Sequence, residues 1–130
     1  MATGSLITTL GRNLALHRLY TASPTDTAPT QFQSGTGTTT PALADTDLDT
    51  GIGSKTNFVS GYPSFDTTNV QVTTRGFIDS TTLNGNNISE AGEFNTDGTP
   101  ELFSRAVFTA ISKSASVEIA FIWKHRIRSP

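Results

Sequence analysis

Between Val117 and Lys124 the chain alternates. Val117, Ile119, Phe121 and Trp123 fall two apart and in an extended chain project to one side, while Glu118, Ala120, Ile122 and Lys124 form the other side, charged at both ends. This is the pattern of a half-buried strand, and it assigns Ile119, Phe121 and Trp123 to a core. Leu102–Thr109 is a second β-prone run that adds Phe108 to that core, and Ile88–Phe94 is a third. Ile111–Ser116 is a polar link of hairpin length. Asn95-Thr96-Asp97-Gly98-Thr99-Pro100 is turn chemistry, because Gly98 accepts positive φ, Asp97 bonds its own backbone and Pro100 blocks strand pairing. An antiparallel meander of Ile88–Phe94, Leu102–Thr109 and Val117–Arg128 is predicted.

The period changes at the other end of the chain. Leu6, Ile7, Leu10, Leu14, Leu16 and Leu19 recur at three- and four-residue spacing, which predicts a helix over Ser5–Tyr20 capped by Thr3 or Ser5, with a strand over Leu6–Leu10 as the competing reading. Gly11 inside it costs up to about 1 kcal/mol against Ala, so the helix either packs closely on something or ends early. Thr21–Pro29 has nothing to bury beyond two alanines and reads as an exposed loop or arm. Thr30–Gln33 suits a short strand, Ala42–Leu48 a single helical turn, and Lys55–Tyr62 and Thr68–Ile78 two further strands. Asn84-Gly85 marks a turn in the Asp79–Asn87 loop.

Composition narrows the class. Thr and Ser exceed a quarter of the 130 residues, and with 11 Gly and 6 Pro they favour turn-rich β architecture in one domain. The expected division is helix over 1–20, a Gly/Thr/Pro-rich extended arm over 21–50 and a sheet core over 55–128, folded as an antiparallel β-sandwich or rolled sheet. A net charge of −2 with 15% charged residues gives no broad basic field, so nucleic acid is not an expected partner. The absence of cysteine excludes disulfides and thiolate chemistry. Met1–Ser5 lacks a secretory pattern and no apolar run approaches the roughly 20 residues that span a bilayer, so a soluble product with no membrane partner is expected.

Candidate chemistry is thin. Gly35-Thr36-Gly37 brings backbone N–H groups within reach of an anion, yet no P-loop lysine follows and a tight turn accounts for the glycines. Asp45, Asp47 and Asp49 imitate the first ligands of a calcium loop, but Thr56 stands where the distal bidentate carboxylate belongs. The default reading is a solvated acidic loop with no metal, with a weak structural cation at a subunit contact as the alternative. His17 and His125 lie at opposite ends, and no nucleophile elbow or metal-binding His pair is present, so neither catalysis nor a cofactor is expected. Lys124, Arg126 and Arg128 would share one face of a strand. They suit either a charge-protected edge or a contact with an acidic neighbouring subunit.

Two longer segments carry a resemblance. Gln31–Thr39, continuing through Pro41 to Asp45-Thr46-Asp47-Leu48, resembles the GxGxxxP…DTxL segment of small tailed-bacteriophage structural proteins, including the attachment domains of tail-collar fibres. Ile88–Gly98 followed by Leu102–Phe108 is similar to that group's I-x-E-x-G-L-F-N-x-D-G…L-F-A-R-x-x-F pattern, with Glu93 where the pattern has Leu. The resemblance implies a non-enzymatic virion subunit, assembled in the host cytoplasm, whose partners are capsid or tail structural subunits and further copies of itself, a trimer included. Head decoration is the expected role, with tail or baseplate attachment as the alternative. Gly35, Thr36, Gly37, Pro41, Lys124, Arg126 and Arg128 are the candidate contact residues. A carbohydrate-binding sandwich is a third reading, for which one Trp and two Tyr supply little stacking surface.

Overall fold

A computed structural model describes residues 4–128. It is mainly β: two antiparallel sheets and one helix near the N-terminus. The strands are β1 (Gly4–Ile7), β2 (Gln31–Gly35), β3 (Gly51–Asn57), β4 (Ser64–Asp66), β5 (Gln71–Ile78), β6 (Asn87–Phe94), β7 (Leu102–Ser112) and β8 (Ile119–Arg126), and α1 spans Thr9–Tyr20. The large sheet runs β1-β7-β6-β2-β3 and the small sheet β4-β5-β8.

The alternating residues of β8 fill the space between the sheets as expected. Ile119, Phe121 and Trp123 are buried with Phe32, Phe58, Ile78, Ile88 and Ala91, and Phe108 packs partly buried against them. Phe121 is the hub, with ring centroids 5.8–5.9 Å from those of Phe108, Phe32 and Trp123. Burying each such side chain contributes about 1.5–3 kcal/mol. A smaller cluster of Leu48, Phe94 and Leu102 lies on the other side of the large sheet.

The predicted meander needs correction. β6 and β7 pair, but β8 leaves for the small sheet and pairs with β5 along its whole length. The reason is that both edges of β7 are already filled, by β6 on one side and by β1 on the other. The link after β7 is also tied down elsewhere, because Lys113 N–H donates to Asn86 O and its buried ammonium donates to Asn84 Oδ1 (2.7 Å).

The N-terminal helix is shorter than predicted. Gly4–Ile7 is β1, and the helix starts one residue after Thr8, whose side chain accepts from Gly11 N and donates to Leu102 O (2.7 Å). Thr3, one of the two expected caps, lies outside the described residues. Of the apolar residues assigned to one helical face, only Leu14 is buried in α1, while Leu16 and Leu19 are exposed. Gly11 is where the helix touches the sheet, since a Cβ there would run into the backbone of Phe103. The 21–50 segment is no free arm either. β2 sits inside the large sheet between β6 and β3, and Ala42–Asp45 is a turn bonded Asp45 N to Ala42 O, not a helical one. No described helix is long and apolar enough to cross a membrane.

Candidate functional site

The outer face of the large sheet carries a buried ion network. Glu90 on β6 is fully buried and Arg105 on β7 nearly so, with Arg105 Nε 2.9 Å from Glu90 Oε2 and Nη1 2.9 Å from Asp45 Oδ2. Nη2 also donates to Thr39. Glu90 accepts backbone N–H bonds from Gly37 (3.1 Å), Asp49 (3.1 Å) and Thr50 (2.7 Å). The glycines of Gly35-Thr36-Gly37 thus approach an anion that belongs to the chain itself, and a Cβ on either would stand about 2.5 Å from Glu90 Oε1. Burial alone would lower the Arg105 pKa, but hydrogen bonds to Asp45 and Glu90, reinforced by their charges, raise it above its ordinary value. The network folds 36–50 onto the sheet. It is structural, because every charged group in it is consumed by another part of the same chain.

A second buried carboxylate joins the two sheets. Glu93, which stands where the resemblance has Leu, is 1% exposed and accepts from Ser104 Oγ (2.5 Å), Thr74 Oγ1 (2.7 Å) and His125 Nε2 (2.5 Å). Ser104 comes from the large sheet, and Thr74 and His125 come from the small one. A serine, a histidine and an acid are therefore in contact, but in the wrong order for acyl transfer. The hydroxyl and the imidazole both bond the carboxylate, whereas nucleophile activation requires the imidazole to take the hydroxyl proton. The other histidine, His17, bonds Asp26.

Of the predicted site residues, Gly35 and Gly37 are buried inside the chain, and Thr36 and Pro41 are half-buried. The two glycines offer almost no surface of their own for a subunit contact. Asp45 is spent on Arg105, and Asp45, Asp47 and Asp49 do not converge. Among the described residues one trio, Asp26, Asp97 and Glu101, brings carboxylate oxygens within 4.8 Å, with Asp26 bonded to His17 and Asp97 to Thr27 and Asn95. Trp123 packs in the core and is only 8% exposed, so little of its ring is offered for sugar stacking.

The surface is more informative. Lys124 and Arg126 are exposed on the outer face of β8, with Arg128 just past its end. The β5–β8 register sets Thr73 opposite Lys124 and Arg75 opposite Ile122, which brings Arg75 diagonally beside Lys124. Among the described residues none of Arg75, Lys124 and Arg126 has an ion-pair partner. Asp66 on β4 faces the same way; the Asn69 side chain and N–H, then the Thr68 N–H and the charge of Arg126, hold its carboxylate below the usual range, so Arg126 has one acidic neighbour beyond ion-pair distance. Sequence reading missed Arg75 because only the register assigns it to this face.

Beside α1 lies an apolar groove of about 550 Å³, lined by Ile7, Ala15, Phe65, Val72, Phe103 and Ile127 among others. Phe65 is 74% and Ile127 79% exposed, and Leu16, Leu19 and Tyr20 stand out from the same helix. Comparison of the chain with protein-family models, with curated proteins and with solved structures finds no match.

Proposed function

We propose that this chain is a non-enzymatic structural subunit of a tailed-phage particle that decorates the head and bridges neighbouring capsid subunits. The observation that carries the reading is the apolar groove beside α1. A small domain that leaves Phe65, Val70 and Ile127 in water around one apolar groove, with Leu19 and Tyr20 also exposed on α1, presents a surface suited to being covered by another molecule. The resemblance of Gln31–Leu48 and Ile88–Phe108 to phage structural proteins supports the particle as the place where it is covered. The ordering of buried charges supports a passive role, since both carboxylate networks hold the fold together and neither leaves a free nucleophile or base.

A decoration subunit acts by number: many copies each add modest contact area, and the particle gains stability from their sum. Copy number per virion, measured with heat and low-salt survival of filled heads lacking this protein, tests the reading. Copy number in step with the capsid subunit and fragile heads on omission are expected. A count fitting a single tail vertex, with intact heads and lost adsorption, assigns the chain to the tail instead.

A further inference from the structure

The two sheets are unequal, and the difference leaves a strand-sized vacancy. β8 lies across from β7: Phe121 packs on Phe108, and the Phe103 ring meets His125 edge-on at 5.4 Å. β1 extends the large sheet one strand further, and no described strand of the small sheet continues beside β8 to cover it. The space above β1 is a cleft of about 860 Å³, open to solvent. Its floor includes Ser5 and Ile7 of β1 with Ser104, Ala106 and Phe108 of β7, three of which are small enough to leave depth. Its wall is β8 itself. All eight residues of β8 pair with β5 on one side, and on the other side its backbone pairs with no described strand.

We propose that this vacancy accepts one extended segment of a partner protein, added as a strand along the free edge of β8, with alternate side chains apolar and acidic. The free row of N–H and C=O groups supplies the backbone bonds, as in other cases of strand addition. The alternation of β8 dictates the side chains. Neighbours of Phe121 and Trp123 point into the apolar cleft, while neighbours of Ile122, Lys124 and Arg126 lie on the outer face, where Arg75 adds a third cation with no ion pair among the described residues. Acidic residues there complement the face.

β1 stands against a symmetric pairing of two copies of this chain through β8. Two copies joined edge to edge through β8 about a twofold axis would each place β7 beneath the other's vacancy, where β1 already lies. A lone strand with nothing packed beneath it has no such conflict. The inference rests on reading the chain as a contact-making subunit, but not on where in a particle it acts.

Trp123 lines the cleft and is the only tryptophan, so its fluorescence in the full-length chain reports occupancy. The probe is a synthetic ten-residue peptide of alternating Val and Glu, compared with a Val/Lys peptide and with a Val/Glu peptide carrying two central prolines. Saturable binding by Val/Glu alone is expected, weakened at least tenfold by Lys124→Glu with Arg126→Glu, and abolished by Ala106→Phe, which fills the floor. Equal response to all three peptides, or none, overturns the proposal without reliance on any variant's folding. A dimer in sedimentation that Ala106→Phe dissociates overturns the choice of occupant. Failure here with capsid-level copy number in the virion would leave the proposed function standing, and the converse would leave the strand site standing.

Discussion

Replacing Arg105 with Met keeps most of the side-chain volume and removes the guanidinium from a site that is 2% exposed. Glu90, at 0% exposure, then retains its charge and three backbone N–H bonds but loses its counter-ion at 2.9 Å. Asp45, further out, recovers water and costs little. Breaking a buried pair from one side typically costs about 3–5 kcal/mol, because the remaining charge stays desolvated. For 130 residues, an unfolding entropy of roughly 2.1 cal/mol/K per residue gives about 0.27 kcal/mol/K, so a loss of about 4 kcal/mol lowers Tm by about 15 °C. Urea denaturation of the wild type, Arg105→Met, Glu90→Gln and the double variant closes a cycle. The double variant is expected to be more stable than the sum of the singles by about 0.5–3 kcal/mol, since it removes the orphaned charge. A cost for Arg105→Met below about 1 kcal/mol, the range of an exposed pair, with an additive cycle, would refute the reasoning.

Three further outcomes are expected. Gly11→Ala improves helix propensity by up to about 1 kcal/mol yet should lower Tm, because the new methyl meets the Phe103 backbone; a rise in Tm would show that α1 shifts freely. Val70, at φ 50° and 55% exposed, holds a β-branched residue in the left-handed region, so Val70→Asn should raise stability by about 1 kcal/mol in chemical denaturation. The backbone N–H and hydroxyl of Thr27, then the Asn95 side chain and the Arg18 charge, hold Asp97 below its ordinary value of 3.8. Its contribution is therefore fully present above pH 3.8 and lost as pH falls through the lower folded value. The Tm gap between wild type and Asp97→Asn should be constant at neutral pH and close in acid; a gap that persists in acid would assign it to packing.

Alternation alone located the strands around Ile88–Phe94, Leu102–Thr109 and Val117–Arg128 and the burial of Ile119, Phe121 and Trp123, because a period of two states which face is apolar. It does not state which strand lies alongside. That depended on Gly4–Ile7, whose Leu6 and Ile7 fit a helical spacing with Leu10 and Leu14 and so were absorbed into one predicted helix. The break at Thr8 is visible only through its bonds to Gly11 and to Leu102, 94 residues away. The Glu90–Arg105 pair was illegible for a similar reason. Charged residues normally mark a solvated face, and only the fold of 36–50 over them makes these two interior. Arg75 joined the basic face through register and no local signal.

The pairing of β1 with β7 and of β5 with β8 has a consequence for the birth of the protein. As the chain leaves the ribosome from its N-terminus, β1 has no partner until about a hundred residues later, when β7 appears. The small sheet waits longer still, since β4 and β5 form only a hairpin until β8 emerges. Phe32, Phe58 and Ile78 are synthesised well before Phe121 and Trp123, the rings that close over them. Nascent chains of this protein therefore expose unpaired strand edges and uncovered apolar rings until β8 has been made, a surface that favours aggregation until the sandwich closes.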